Sequence, residues 1–290
     1  MSYRGRFAPS PTGALHFGSL VAALASWLRA RQQRGQWLLR VEDIDPPREA
    51  TGSTHAILTT LRQLGLDADE PPLFQSHRSE AYAKALHALR DDGHAFPCWC
   101  SRTELEIAGS LHRDGRCVSP SREDRQPAWR LCVPDLDVAF EDGLQGRQAQ
   151  NVREAVGDFV LKRADGLWSY QLACVVDDAF QCITEVVRGC DLLDSTPRQI
   201  LLQRLLGLST PAYSHLPLAV DAAGRKLSKS TEAPAIATCD PRTALARALQ
   251  FLGQSVPGTP DARTMLHVAA QGFDPAPLCG VTARNVNDVT

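Results

Sequence analysis

The chain opens by alternating short apolar runs with segments whose apolar positions recur at helical spacing. Residues 4–8 form a short run with strand character, closed by Pro9-Ser10-Pro11-Thr12-Gly13, which breaks any regular element. From Gly18 onward, Leu20, Val21, Leu24, Trp27 and Leu28 mark one face of a helix, and Gly35 ends it. Residues 36–41 (QWLLRV) then read as a second buried strand. Strand, loop, helix and strand make a βαβ unit, which predicts a parallel sheet with a right-handed crossover.

Helical spacing returns at 53–64 and 79–92, and the pattern breaks at Ala95. From Pro97 to about Arg153 the chain is rich in Cys, Gly, Pro and Arg, with short β-like runs such as 129–133. That predicts an insertion with its own architecture. Residues 158–163 and 167–170 flank Ala164-Asp165-Gly166, a hairpin signal, and an apolar stretch at 172–176 ends in Asp177-Asp178. A strand at 183–187, a helix at 197–206 and a strand at 216–220 resume the α/β rhythm before a loop at 221–230. Beyond it, the sequence predicts one amphipathic helix near 242–252.

Composition narrows the class. With 43% hydrophobic and 22% charged residues over 290 positions, the chain is ordinary for a soluble globular protein. No apolar run approaches a membrane span, and the first residues lack a secretory apolar core, so a cytoplasmic protein is expected. The 9 cysteines, an odd count spread along the chain, point to reduced thiols or a metal site rather than a disulfide framework. A net charge of −2 gives no global basic field, so any RNA partner must be held by local patches. Arg122, Arg125 and Arg130 offer one, and Arg225, Lys226 and Lys229 another.

Two stretches carry chemistry. The loop before His16-Phe17-Gly18-Ser19 joins a strand to a helix N-terminus, whose free N–H groups and positive dipole end suit a phosphate. Gly18 would let a nucleotide lie against the backbone, and His16 could donate to a phosphate oxygen as charge builds there. Farther on, Gly224-Arg225-Lys226-Leu227-Ser228-Lys229-Ser230 is a basic loop suited to closing over a triphosphate. Taken singly, the first is also an ordinary βα turn and the second an exposed hairpin tip.

Together they resemble the two signatures of class I aminoacyl-tRNA synthetases, here His16-Phe17-Gly18-Ser19 and Lys226-Leu227-Ser228-Lys229-Ser230. Within that class, the run Arg6 to Gly13 and Leu39-Arg40-Val41-Glu42-Asp43-Ile44-Asp45 look like glutamyl enzymes. So do Val187-Arg188-Gly189 and Ser195-Thr196-Pro197-Arg198-Gln199. The resemblance implies a split nucleotide-binding α/β fold (Rossmann-type, HUP-like parallel sheet) with an inserted α+β subdomain and a short helical C-terminal stem-contact segment. It divides the chain into 1–95 and 171–230 as the two catalytic halves. Residues 96–170 become the acceptor-binding insertion and 231–290 the stem-contact-like region.

The resemblance implies catalytic roles for His16, Gly18, Lys226 and Lys229, with ATP held by His16, Gly18, Ser19 and Lys229 and accompanied by Mg²⁺. It places Arg6 and Arg188 on the two carboxylates of L-glutamate, in either order, Glu42 on its ammonium, and Ser10 and Tyr170 as hydrogen-bonding wall. The residue chemistry agrees, because the planar fork of arginine binds carboxylates bidentately. The alternative for Arg6 and Glu42 is an internal ion pair with each other.

Full-length glutamyl enzymes carry a large anticodon-binding region after the lysine loop, whereas a typical domain needs about 100–150 residues and only 231–290 follow here. The chain is therefore identified as similar to the glutamyl-queuosine tRNA(Asp) synthetase subfamily, in which glutamate goes to queuosine in the anticodon loop. Val175-Val176-Asp177-Asp178 and Asp191-Leu192-Leu193-Asp194-Ser195 fit it, while Cys182, Glu185 and Cys190 depart from it. The implied partners are ATP, L-glutamate and the queuosine-bearing anticodon stem-loop of tRNA(Asp), with no membrane and a monomeric state. Open alternatives are charging of a tRNA 3′ end, adenylation for a non-RNA acceptor, and an RNA-binding module with an inactive nucleotide fold.

Cys98-Trp99-Cys100 followed by Cys117 suggests Zn²⁺ held by thiolates. Related enzymes have a tyrosine four residues before the last cysteine, but Arg113 stands there, and a guanidinium cannot ligate zinc. The neighbouring His112 can, and it is the expected fourth ligand. The alternative is a metal-free hairpin with reduced cysteines.

Overall fold

The computed structural model describes residues 2–109, 111–226 and 236–287; Lys229 lies outside the described residues. The chain opens with β1 (Arg4–Phe7), α1 (Phe17–Gln32) and β2 (Gln36–Val41), followed by α2 (Ser53–Gln63), β3 (Leu73–Phe74) and α3 (Ser79–Asp91). β1, β2 and β3 are parallel neighbours, with Arg6 opposite Leu38 and Arg40 opposite Leu73. Gly35 makes the return possible: a Cβ there would sit 2.3 Å from the Tyr3 carbonyl oxygen, which accepts from Gln36 N–H.

The insertion contributes β4 (Ala95–Cys98), α4 (Arg102–Ile107), β5 (Ala128–Leu131), β6 (Asp137–Asp142), β7 (Gly146–Asn151), α5 (Val152–Ala155) and β8 (Val160–Lys162). β4, β5 and β8 form an antiparallel sheet, and β6–β7 is a hairpin. The second half follows as α6 (Tyr170–Phe180), β9 (Glu185–Gly189), α7 (Thr196–Leu205) and β10 (Ala212–Leu216), with β9 and β10 parallel. Thr184 joins the halves, its N–H donating to Arg4 O at 2.9 Å while its carbonyl accepts from Ala212 N–H at 2.9 Å. β6 reaches the far side of β10, bringing Asp142 opposite Tyr213.

β2 shows why the sheet has helices on both faces. Trp37 and Leu39 belong to the core shared with α1, while Leu38 belongs to the core containing Tyr82, Leu172 and Ile200. Successive side chains of a strand point to opposite faces, so one strand feeds two cores. α1 is buried on more than the expected stripe, with Ala23, Ala25 and Ala30 joining Leu20, Leu24 and Leu28. Its second face is covered by elements from 231–290, namely α8 (Pro241–Phe251) and α9 (Ala262–Gln271), once β11 (Leu218–Val220) has been laid down. The last strand, β12 (Ala283–Asn285), pairs in parallel with β11.

Three expectations differ from the structure. The strand expected at 216–220 is split at Pro217, which has no N–H to continue a ladder, so Leu216 ends β10 and Leu218 begins β11. Tyr170, expected at the end of a hairpin arm, is the first residue of α6, where Ser169 caps the helix by accepting from Leu172 N–H. α9 and β12 were not expected, although Met265, Leu266, Ala269 and Ala270 bury one helical face. None of the nine cysteines forms a disulfide. No helix among the described residues is long and apolar enough to cross a membrane.

Candidate active site and candidate metal centre

The loop between β1 and α1 is fixed by its neighbours. Glu42 N–H donates to Pro9 O at 3.0 Å and Ala50 N–H to Pro11 O at 2.9 Å. Ser53 Oγ accepts from Gly13 N–H at 2.9 Å and donates to Gly13 O at 2.6 Å. His16 is the N-cap of α1, its Nδ1 accepting from Ser19 N–H at 3.3 Å, so one side chain both starts the helix and faces the site. Gly18 has no unusual φ; a Cβ there would lie 3.4 Å from the His16 ring.

A cavity of about 550 Å³ opens here, beyond the carboxyl ends of β1, β2 and β9. That is where open α/β sheets bind ligands. Arg6, Ser10, Glu42, Tyr170 and Arg188 line it, as do His16, Gly18, Ser19 and Lys226. The structure thus brings together every expected active-site residue that it describes. Lys226 Nζ is paired with Asp191 Oδ2 at 2.5 Å.

Beneath the cavity runs a buried chain of alternating charge. Arg6 Nε donates to Asp178 Oδ1 at 3.1 Å, Arg40 Nη1 donates to the same oxygen at 2.7 Å, and Arg40 Nη2 reaches Glu42 Oε1 at 3.4 Å. Among the described residues Arg6 therefore pairs with Asp178, and Glu42 with Arg40, rather than with each other. Burial would lift the Asp178 carboxyl, but Arg40 and Arg6 outweigh it and hold it well below the usual range. For Glu42 burial wins over the two arginines and the carboxyl is raised. Sequence reading missed Arg40 and Asp178. An arginine inside the apolar run 36–41, four-fifths of whose neighbours are apolar, was the available signal: a charge in a central strand requires a buried partner.

Arg188, 5% exposed on β9, is held by a hydrogen bond on each of its guanidinium nitrogens. Nε donates to His215 Nε2 (3.0 Å), Nη1 to Gln199 Oε1 (2.8 Å) and Tyr170 Oη (3.3 Å), and Nη2 to Thr196 Oγ1 (2.7 Å) and Leu192 O (3.3 Å). Strand pairing sets the first of these, since His215 on β10 is the register partner of Arg188. His215 was not singled out by the sequence, because a lone histidine in a strand carries no motif.

In the insertion, one donor atom from each of Cys98, Cys100, His112 and Cys117 lies within 4.8 Å of all the others. Three of the four residues are buried. His112 Nδ1 lies 2.9 Å from Asp158 Oδ2, while Nε2 is buried with no hydrogen-bond partner. A carboxylate on one ring nitrogen and an orphaned second nitrogen beside three thiols is the donor set of a structural zinc site, so the residues fit the ion. Burial raises the Cys98 thiol, but His112, the Cys100 backbone and Arg130 outweigh it and bring it down to about 6. Arg113 turns elsewhere, donating to Arg153 O and Glu154 O at 3.1 and 3.0 Å.

The expected basic patches are largely tied to acids. Arg122 and Arg125 both face Glu104, at 2.8 and 4.0 Å, and Arg225 pairs with Asp221 at 2.9 Å. Arg130 turns inward, donating to Cys98 Sγ at 3.3 Å and Asp158 O at 2.8 Å, and so adds nothing to an outer patch.

Comparison with known proteins agrees with this geometry. The family described as tRNA synthetases class I (E and Q), catalytic domain, matches residues 2–271. A glutamyl-Q tRNA(Asp) synthetase of Xanthomonas oryzae pv. oryzae is 54% identical over 278 residues, covering 94% of this chain and 92% of that protein. One from Dechloromonas aromatica is 55% identical over 263 residues, covering 88% of this chain and 87% of its own. Among solved structures, a glutamate tRNA ligase from Elizabethkingia meningosepticum, in complex with its amino acid, superimposes with a TM-score of 0.82 at 25% identity. That match covers 98% of this chain and 67% of the other. With a parallel sheet, a helix-capping histidine and an arginine-lined cavity at its strand ends, the chain belongs to the class I tRNA synthetases of the E and Q type, a family of ligases.

Proposed function

We propose that this chain activates L-glutamate with ATP and transfers the glutamyl group to queuosine in the anticodon loop of tRNA(Asp). The observation that carries this reading is the cavity in which Arg6, Arg188 and Glu42 converge beside His16 and the N-terminus of α1. Two cations and one anion match a substrate with two carboxylates and one ammonium. The names of relatives at 54–55% identity support the acceptor.

In this scheme an oxygen of the substrate α-carboxylate attacks the α-phosphorus of ATP, and the bond to pyrophosphate breaks. A hydroxyl of the acceptor then attacks the mixed anhydride, its proton is lost, and AMP leaves. Arg6 and Arg188 hold the carboxylates, Glu42 the ammonium, and Ser10 and Tyr170 the wall. His16, Gly18, Ser19 and the N–H groups of α1 receive phosphate, with Lys226 and Lys229 opposing the charge that builds on it. Mg²⁺ enters with ATP. A cytoplasmic monomer is all that the scheme requires.

The same reading gives the insertion a site where Cys98, Cys100, Cys117 and His112 would hold one structural Zn²⁺, which would cross-link the two thiol-bearing segments. Zinc in protein purified without chelator or histidine tag checks this: under a tenth of an equivalent removes the site.

The deciding experiment supplies labelled glutamate, ATP and tRNA(Asp) with or without queuosine. Label that requires queuosine and survives removal of the 3′ end is expected. Label lost with the 3′ end would instead make the chain a 3′-end-charging enzyme, and absence of glutamate-dependent pyrophosphate exchange would remove the activation step.

A further inference from the structure

The chain holds a second buried aspartate–histidine pair, and it ends on an arginine instead of on thiols. His215 is wholly buried. Its Nδ1 lies 2.5 Å from Asp142 Oδ2, and its Nε2 lies 3.0 Å from Arg188 Nε and 3.2 Å from Thr196 Oγ1. A guanidinium has N–H groups and no lone pair to offer, so Arg188 can only donate. His215 Nε2 must then be bare, which places the single ring proton on Nδ1, towards Asp142.

Asp142 is itself fixed. Its Oδ1 accepts from the backbone N–H groups of Leu144 (3.0 Å), Gln145 (2.9 Å) and His215 (3.1 Å), leaving Oδ2 alone to face the imidazole. We infer that Asp142 and His215 are positioning residues for Arg188: the aspartate sets the tautomer that lets His215 accept from Nε, and this holds the guanidinium against the cavity. Burial, together with the nearby Arg188 charge, outweighs the pull of Asp142 and keeps the imidazole below its ordinary range, which agrees with a neutral ring. The substrate consequence rests on the proposed glutamate site; the tautomer does not.

Asp142→Asn tests the device. Three backbone donors keep the amide oxygen at the Oδ1 position, so the amide NH₂ replaces Oδ2 and donates to His215 Nδ1. The ring proton is then driven to Nε2, against the Arg188 N–H. Nitrogen-15 NMR of histidine-labelled protein, with the His215 signal assigned by its loss in His215→Gln, should show an Nδ1–H ring in the wild type and an Nε2–H ring in Asp142→Asn. In pyrophosphate exchange the KM for glutamate should rise about tenfold in Asp142→Asn, with kcat and the KM for ATP within about twofold of wild type. His215→Gln, whose amide can donate to Asp142 and accept from Arg188, should keep the glutamate KM within about threefold, and His215→Leu should not.

A wild-type ring protonated on Nε2 overturns the inference without any variant having to fold. So does an Asp142→Asn protein that exchanges with an unchanged glutamate KM, or a His215→Gln protein no better than His215→Leu. Wild-type protein that shows the Nδ1–H ring but no exchange with glutamate would keep the tautomer assignment and overturn the glutamate reading on which the KM effect depends.

Discussion

At the scale of single residues, the site is a set of charges removed from water and made to answer one another. Asp178, with a side chain 4% exposed, serves both Arg6 and Arg40. Its folded pKa lies below the unfolded value, so its contribution to stability is present above the ordinary carboxylate range and is lost as pH falls through the folded pKa. Asp178→Ala leaves two arginines without their shared partner and should cost about 3–5 kcal/mol, measured by urea unfolding at neutral pH; a loss under about 1 kcal/mol would show that water or a rearranged acid replaces it. Glu42 moves the other way, its carboxyl raised mainly by burial. As pH falls it takes up a proton earlier than a free glutamate side chain, and in the proposed role it would then lose its hold on the substrate ammonium. The KM for glutamate should therefore climb on the acid side, at a pH above the ordinary carboxylate range. Glu42→Gln should bind glutamate weakly throughout and lose that acid limb, and an acid limb identical in the variant would exclude Glu42 as its source.

At the scale of elements, local contacts decide how the pieces meet. Gly35 lies where β1 and the end of α1 come closest, and any Cβ would strike the Tyr3 carbonyl oxygen, a backbone atom that cannot swing away. Gly35→Ala should cost about 1–3 kcal/mol by overpacking in a denaturant titration, and an unchanged midpoint would mean that the turn has slack. In the insertion the four candidate metal donors come from the end of β4, the residues just after it, and the segment 112–117. Asp158 fixes the 112–117 segment, facing His112 Nδ1 and accepting from the Gly115 N–H, and ties it to Val133, whose N–H it also accepts, at 2.9 Å each. His112→Ala should reduce bound zinc to a minor fraction of an equivalent, and chelation of wild-type protein should increase proteolysis within 96–157. Full zinc occupancy in the variant would show that another group supplies the fourth ligand.

For the molecule as a whole, the net charge of −2 and the internally paired arginines leave little long-range field for RNA. Binding to tRNA should depend on a few local contacts, each phosphate neutralised adding about 0.7–0.9 to the slope of log affinity against log salt. A slope shallower than about 4 is expected. Glu104→Gln, which releases Arg122 and Arg125 from their acid, should tighten tRNA binding at low salt and steepen that slope. An unchanged slope would place those two arginines away from the RNA. The overall packing also sets how the C-terminal helices behave: α8 and α9 share a core with α1, so both are built into the same body that carries His16 and Gly18.

Much of this was legible along the chain because it is local. The βαβ start and the loop 9–13 sit in short patterns whose spacing or composition reports its own conformation, whereas His16, Arg6, Glu42 and Arg188 are reached through the resemblance of their motifs to a known family. The cysteines and His112 could be read as donors because their chemistry has few other uses. Tertiary structure alone decided the partners. Arg6 with Asp178, Arg40 with Glu42, and Asp142 through His215 to Arg188 are separated by 172, 2, 73 and 27 positions respectively, and all but one of these pairs is made by strands and helices folding from different parts of the chain. Pro217 splitting a strand, and α9 covering α1, likewise depended on distant neighbours that supply or withhold a hydrogen-bonding edge and an apolar face. A sequence states which charges must be buried; only the fold determines which opposite charge reaches them first, because the cost of an unpaired buried ion is settled by whatever lies within a hydrogen bond of it.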